Sequence, residues 1–397
     1  MMPSIQGRRI LPVFFVILSF FHALSAKSAS APPKIRVLLD SGVSALEVSG
    51  WDLSLSAESS KGLGDAGMSL SGRRSVRLQC RNGRVVARSM GREFSATRVR
   101  MTSPVGSLFW SSRLIREELS VQPGKQGCLV VNALDLEKYL DGVVNGEFSA
   151  RWNAEAVSAQ VIAARTYALY QMREARAKRA LYDVDSTTRD QVYLGTAGEE
   201  ARASQLVQKT RGWVLVAGAG ASVAPIKAFY HSTCGGITES PESVWGKSQP
   251  GVSGAVLCQF CGTSPRLVWE LSMSRAQVDE ALMPLGLGPV SVIEVALRFP
   301  SGRARRVRLG FEKERGKRVF KDLPASQLRM LLGPERFQST AFEVERTASS
   351  DWIFRGRGYG HGVGMCQWGA KEMGAAGYSA REILSRYYPQ ARLERAW

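Results

Sequence analysis

Leu136–Glu147, LEKYLDGVVNGE, is the stretch around which the chain is arranged. At about 100° per residue, Leu136, Tyr139, Leu140, Val143 and Val144 form one apolar stripe of a helix. Three residues past Val144, Glu147 falls in the middle of that stripe. A carboxylate drawn into apolar surroundings has its pKa raised, and a glutamate held protonated near neutral pH is suited to act as a general acid on a glycosidic bond. The other reading ends the helix at Gly146 and leaves Glu147 solvated. Asp135 is the expected N-cap. Gly142 and Gly146, four apart on one flank, leave room for another backbone or a sugar.

A second helix is expected from Ala154 to about Ala180, capped by Asn153, with Glu155 in its first turn and Arg173, Arg176, Lys178 and Arg179 towards its negative end. Val157, Val161, Ala164, Ala168 and Leu169 form its apolar arc, with Arg165 at the edge. A half-buried guanidinium needs an anion or a carbonyl. Pairing with Glu147 would lower the pKa of the acid, so Arg165 is placed on substrate or on a backbone carbonyl; a structural pairing with another carboxylate is the alternative. The polar segment DVDSTTRDQVYLG, 183–195, offers Gln191 and Tyr193 as sugar-binding groups.

Upstream, 34–131 reads as β-structure, with runs such as IRVLL, RVVARS and CLVVN between Gly- and Ser-rich breaks. Residues 27–33 form a short linker. Residues 1–26 read as a secretory signal, with Arg8 and Arg9 before the apolar run Ile10 to Phe21 and small residues at Ala23, Ser25 and Ala26. That run is too short to span a bilayer comfortably, so no stable membrane span is expected. The chain is expected to be exported to the periplasm or cell envelope. Downstream, 132–397 is mixed α/β, with a small insert around 266–345 that holds a helix in SMSRAQVDEALMPLG and paired strands VSVIEVALRF and RRVRLGFE. A capping box, Ser379 to Glu382, opens a late helix. The fold class expected is α+β.

The formal charge of +18 drops by two, to +16, on losing Arg8 and Arg9. In an exported chain this favours anionic envelope polymers over nucleic acid as partners. Six cysteines are too few for a disulfide-stapled scaffold of this length.

After the signal, the only histidines are His231 and His361. His231 and Cys234, with Cys258 and Cys261 as a CxxC pair, match the ligands of a closed, structural zinc site. The competing reading is a disulfide, Cys258–Cys261 or Cys234–Cys258, with His231 facing substrate. Cys80, Cys128 and Cys366 have no assignment. His361 lies among Gly358, Gly360, Gly362 and Gly364, a density that permits close backbone approach to a ligand or a tight structural loop. It is not a phosphate loop, since no GK[ST] follows. A serine hydrolase is disfavoured by the lack of a nucleophile elbow. A catalytic zinc is disfavoured because a closed Cys3His set leaves no open position.

The segments VVNALDLEKYLDGVVNGEF, AEAVSAQVIAARTYAL, FYHSTCGGITESPESVWG, CGTSPRLVWE and GRGYGHGVGMCQWGAKEMGAAGYSAREILSRYYP resemble, in that order, the stage II sporulation protein D family, which includes the LytB-type amidase enhancers. The resemblance covers nearly the whole of the chain after the signal. It implies a two-domain, canyon-like fold and a peptidoglycan lytic transglycosylase that cleaves peptide-stripped glycan strands to 1,6-anhydro-N-acetylmuramic acid ends. By the same resemblance Glu147 is the catalytic residue, Arg165 and Tyr230 to Thr233, including Ser232, line the cleft, and a zinc sits near His231 and Cys234. His361 and Gln367 are added as glycan-holding groups. The chain departs from the family at Phe148 and Ser149, where Met and Pro are common, and at Cys234, where many relatives have serine.

A hydrolysing glycosidase needs a second carboxylate, whereas this transglycosylase chemistry needs one, because the muramic C6 hydroxyl is the internal nucleophile. Asp141 and Glu137 fall off the apolar stripe, so no second carboxylate is evident near Glu147, and one from a distant segment stays open. The rival expectation is a non-catalytic peptidoglycan-binding protein that stimulates a cell-wall amidase.

Overall fold

From Lys34 to Asp135 the alternating sequence builds one large sheet. The computed structural model describes residues 31–59, 62–313 and 317–397; the secretory signal and residues 27–30 of the linker lie outside them. The sheet comprises β1 (Lys34–Val43), β2 (Ala45–Ser59), β3 (Gly62–Arg81), β4 (Arg84–Ser89), β5 (Arg92–Ala96), β6 (Val99–Trp110), β7 (Arg113–Pro123), β8 (Cys128–Asp135) and the short β9 (Val184–Asp185). Their spatial order is β5-β4-β3-β2-β6-β7-β8-β1-β9. All neighbours are antiparallel except β1 and β9. Period-two alternation places Val48, Leu78, Val85, Ala87, Met101, Leu119 and Val130 in one core. Asn82 and Gly83, both at positive φ, make the two-residue turn between β3 and β4. A disulfide joins Cys80 of β3 to Cys128 of β8 with Cα atoms 5.5 Å apart. Those strands are separated by three others in the sheet, so the sheet curls around its apolar face.

β8 runs directly into α1 (Leu136–Glu147). The Asp135 carboxylate caps it, accepting from Glu137 N–H at 2.7 Å. The expected stripe of Leu136, Tyr139, Leu140, Val143 and Val144 is buried. α2 (Ala154–Ala177) follows, with Asn153 accepting from Glu155 N–H at 2.8 Å. It ends about a turn earlier than its sequence suggests. Arg179 adopts the left-handed conformation usually given to glycine, and Ala180 N–H closes on Ala175 O. These helices, α3 (Ala201–Lys209) and the helices Gln367–Ala375 and Ala380–Tyr387 share a second core with Ile35 and Val37 of β1. The Gly142 and Gly146 flank is occupied by backbone: a Cβ at Gly146 would lie 2.5 Å from Val192 O, and one at Gly142 2.8 Å from Gly195 O.

The third core belongs to the inserted region. Strands Val268–Met273, Trp352–Arg357 and Phe342–Arg346 form one sheet, and Val290–Arg298, Ala304–Glu312 and Arg318–Pro324 another. Trp269, Val278, Leu309, Phe311, Phe337 and Phe354 pack between them. Trp352–Arg357 is the middle strand of the first of these sheets, so this core includes residues beyond 345. The expected pair of strands is antiparallel across the 299–303 turn. The fold is mixed α+β, and contacts join Pro32–Trp397 into one unit; the two-domain division expected from the resemblance does not appear as a break in those contacts. Among the described residues no helix is long and apolar enough to cross a membrane.

Candidate active site and thiol cluster

Two long-range pairings bring the sequence motifs together. Tyr230–His231 runs parallel to Met365–Cys366, which sets the segment after Phe229 beside the start of helix Gln367–Ala375. The Gln367 side-chain amide then donates to Glu147 O at 3.0 Å, fixing the end of α1 to that helix. Phe148 N–H still bonds Val144 O, so Glu147 is the last residue of α1.

Glu147 is half-buried and borders a cavity of about 470 Å³ that is also lined by Asn145, Arg151, Trp152, Ser232, Gln367 and Trp368. Burial pushes its carboxyl pKa up, opposed by the hydrogen bond that Val192 N–H donates to Oε1 at 2.5 Å. Among the described residues no lysine or arginine forms an ion pair with it, which leaves the upward effect of burial in place. Trp152 and Trp368 meet edge to face with centroids 5.2 Å apart, and the Lys371 ammonium lies 4.2 Å from the Trp368 ring. Glu200 stands exposed at the same cavity and accepts from Asn145 Nδ2 at 3.3 Å. A second carboxylate therefore borders the cavity, from a distant segment as the sequence reading left open; it lies before α3, where no helical stripe points to it.

Behind Glu147 lies a chain of neutral groups. The Tyr139 hydroxyl donates to Gln191 Oε1 at 3.1 Å, and Gln191 Nε2 donates to the Tyr230 hydroxyl at 2.9 Å and to Ala164 O at 3.3 Å. Burial, with the Glu147 charge next, pushes both phenols well above their usual pKa. Gln191 is fully buried and thus supports Tyr230 instead of meeting a ligand. Tyr193 is buried too; its hydroxyl donates to Asn132 Oδ1 at 2.9 Å and its ring packs on Tyr139. Both were expected to bind sugar. Their polar atoms are consumed in satisfying the interior.

Arg165 makes the expected backbone-carbonyl contacts and the alternative carboxylate pairing, and only the expected substrate contact is not seen. It is fully buried and makes a two-pronged ion pair with Glu137, Nε to Oε1 at 3.1 Å and Nη2 to Oε2 at 2.7 Å. It donates further to Trp213 O and Val207 O, each at 3.2 Å. Glu137 accepts in addition from Gly212 N–H and Trp397 Nε1. The pair ties α1, α2, α3 and the strand Trp213–Ala217 together and does not reach the cavity. His361 does not line the cavity either: its Nδ1 accepts from Val363 N–H at 3.0 Å, and its ring sits 5.1 Å from Trp245. Burial first, then His231 beside it, holds its pKa well below the usual value. The structure thus gathers Glu147, Ser232 and Gln367 at one cavity, places Tyr230 behind it, and sends Arg165, Gln191 and Tyr193 into the interior. Sequence reading missed Trp152 and Trp368, which carry no periodic signal of their own.

Four buried thiols form the second feature. The Sγ atoms of Cys234, Cys258, Cys261 and Cys366 all lie within 4.8 Å of one another, with Cys234 and Cys261 3.6 Å apart. None of them is in a disulfide. A tetrahedral metal–thiolate site with bonds of about 2.3 Å has sulfurs about 3.8 Å apart, so the spacing fits a metal ion. Backbone N–H groups point at the sulfurs: Cys234 and Gly369 donate to Cys366 Sγ at 3.3 and 3.4 Å, and Gly236 to Cys234 Sγ at 3.4 Å. Such donors stabilise thiolates. Hydrogen bonding from Cys234 pulls the pKa of Cys258 down and that of Cys261 to about 7. His231, expected as a ligand, is not in the set. Its Nδ1 is 3.0 Å from Val363 O, and Cys366, brought in by the strand pairing, takes the fourth place.

A family model described as stage II sporulation protein matches residues 124–216, and one described as a domain of unknown function matches 266–364. An uncharacterized protein of Brachyspira hyodysenteriae is 32% identical over 268 residues, 67% of this chain and 68% of the relative. The amidase enhancer of Bacillus subtilis is 29% identical over 296 residues, 63% of this chain but 39% of that protein. The stage II sporulation protein D of the same species is 28% identical over 67% of this chain and 76% of its own length. The first match spans α1, α2 and the Glu147 side of the cavity; with relatives of this kind matched over about two thirds of the chain, the chain belongs to the stage II sporulation protein D family.

Proposed function

We propose that the chain is a lytic transglycosylase of the cell envelope, acting on peptide-stripped peptidoglycan glycan strands with Glu147 as its acid and base. The observation that carries the reading is the Glu147 carboxyl itself, raised in pKa by burial, without an ion-pair partner among the described residues and set at a polar cavity flanked by two indole rings. Protonated Glu147 gives its proton to the leaving glycosidic oxygen as the C1–O bond breaks. The carboxylate then takes the proton of the muramic C6 hydroxyl while that oxygen bonds to C1, closing the anhydro ring. Val192 N–H, held on Oε1, favours the ionised state reached after the first step and leaves Oε2 for proton transfer. Trp152 and Trp368 offer faces for sugar rings, and Ser232 and Gln367 are the polar groups at the walls.

The four cysteines, with His231 outside the set, would hold a structural zinc. Bound there, the metal supplies no chemistry to the reaction, since all four positions are protein sulfur. It ties the loop that carries Ser232 to the first turn of the Gln367 helix. An amidase partner is supported by the name of the Bacillus subtilis amidase enhancer, and an exported location by the signal-like pattern of residues 1–26.

Replacing Glu147 by Gln tests the reading. Mass spectrometry of amidase-stripped glycan strands incubated with the variant is expected to show no anhydromuramyl ends, while the variant still sediments with sacculi. The relative named amidase enhancer supports a second reading, a non-catalytic protein that stimulates an amidase. Wild-type protein that releases no sugar but raises amidase turnover would establish that one.

A further inference from the structure

Strands β2 to β7 of the large sheet lie outside both matched segments, 124–216 and 266–364. Their inner face is filled by residues such as Val48, Val76 and Leu108, so the side chains that alternate with these face outward. Register sets the outward ones in rows: Glu47 opposite Arg77, Ser49 opposite both Ser75 and Phe109, and Trp51 opposite Arg73. Trp51 and Phe109 are thus diagonal neighbours on adjacent strands, and they are 54% and 48% exposed. Just beyond them the pairing is interrupted in three successive strand pairs, between Trp51 and Leu53, between Ser49 and Ser54, and between Thr102 and Ser107. Asp52, Gly72, Gly106 and Glu117, one in each of β2, β3, β6 and β7, have φ of 48°, 72°, 71° and 60°. Such bulges bend strands and re-aim side chains. Val105, among them, is 61% exposed, and the Ser103 hydroxyl holds its segment on Trp51 O at 2.6 Å.

The charge beside these apolar groups is one-sided. From Arg73 to Arg92 the chain carries seven arginines and no acid. Arg88 is paired with Glu93, but Arg73, Arg77 and Arg81 are exposed and have no ion-pair partner among the described residues. Arg77 stands opposite Arg88, and Arg81 opposite Arg84. Like charges directly opposite one another are destabilising, and an anion lying over them removes that cost. Against the arginines stand Glu47, Glu93 and Asp52, the last accepting from Gly72 N–H at 2.6 Å, so the positive charge is in excess.

We propose that this outer face docks the protein on an anionic lipid bilayer, with Trp51, Val105 and Phe109 entering the headgroup layer and Arg73, Arg77 and Arg81 lying on lipid phosphates. Charge complementarity selects an anionic partner. The sheet curls around its inner core, so the outer face is convex, a shape that meets a broad surface better than it encloses a segment of chain. Aromatic rings beside guanidinium groups suit the boundary between water and acyl chains, where each ring buries an apolar body and the cations stay at headgroup level. The inference does not depend on the reading of Glu147.

Co-sedimentation with vesicles tests it, using the mature chain from Lys27 on so that the apolar run before it contributes nothing. Vesicles of phosphatidylglycerol and phosphatidylcholine in equal parts are expected to bind the protein about tenfold or more tightly than phosphatidylcholine alone, and less tightly as salt rises. Arg73→Glu/Arg81→Glu is expected to weaken binding to the mixed vesicles about tenfold or more, and Trp51→Ser/Phe109→Ser by a similar factor. All four side chains are exposed, so unchanged urea midpoints are expected. Val105→Asp serves as the apolar variant should the aromatic pair perturb the strands. Equal affinity for the two kinds of vesicle, or no binding at millimolar lipid, overturns the proposal. Binding that falls with the arginine variant but is untouched by both apolar variants overturns it as well, and turns the face into a site for a soluble polyanion.

Discussion

Arg165→Met is the sharpest test of how the site is supported, because it separates a structural arginine from a substrate-binding one. The variant keeps the volume and removes the charge. Glu137 then stays buried, with only Gly212 N–H at 3.3 Å and Trp397 Nε1 at 3.1 Å left to hold it. Both partners of the wild-type pair are essentially inaccessible, 0% and 2% exposed at the side chain, so solvent screening offers little relief. Breaking such a pair by removing one member destabilises by about 3–5 kcal/mol. The Val207 and Trp213 carbonyls lose donors as well, which places the expected loss in the upper part of that range. The double variant Glu137→Leu/Arg165→Met is expected to recover much of it, since no uncompensated charge remains. Urea unfolding of the mature protein measures both. Wild-type stability in Arg165→Met, together with lost glycan cleavage, would refute the argument and return Arg165 to the substrate.

Glu200→Gln is expected to leave anhydromuramyl products in place; a switch to reducing ends, or loss of all cleavage, would mean that the second carboxylate activates a water. Metal analysis of protein purified without chelator is expected to find about one zinc per chain, lost in Cys366→Ser and kept in His231→Ala; the reverse pattern would restore the histidine as ligand. Burial, above all, raises the Asp141 carboxyl from its usual range to about 6. A carboxyl raised in the folded state is harmless below its unfolded pKa and increasingly destabilising as pH climbs towards 6, above which the penalty levels off. Asp141→Asn is therefore expected to stabilise by about 1 kcal/mol at pH 7, after allowing for its partial exposure, and to change nothing near pH 3.5; equal effects at both would sink the attribution.

What could be read from the sequence was whatever depended on near neighbours. Asp135, the stripe after it and Asn153 with Glu155 define α1 and the start of α2 because capping and periodicity act within a few residues. Glu137 and Arg165 went unread as partners because α1 is covered on more than one side, so a residue off the main stripe is still interior. Gln191 and Tyr193 look identical, as letters, whether they serve a sugar or an internal hydrogen bond. Cys366 was unreadable as a member of the thiol set, being a lone cysteine that reaches Cys234 through a strand pairing across more than a hundred residues. Trp152 and Trp368 meet by the same long route. The zinc spacing rule favoured His231 over it because spacing rules see only local ligands.

The amide of Gln367 on the Glu147 carbonyl spans 220 positions, and this gives the protein an order of events. A ribosome that has finished α1 has already made the acid, yet the wall opposite it, Gln367 and Trp368, has not been synthesised. No earlier segment can stand in, because the Met365–Cys366 strand that aligns that wall has its partner at Tyr230–His231. Partial chains thus carry the glutamate without the cavity. Wall-cutting capacity, on the proposed function, arrives only with the C-terminal stretch.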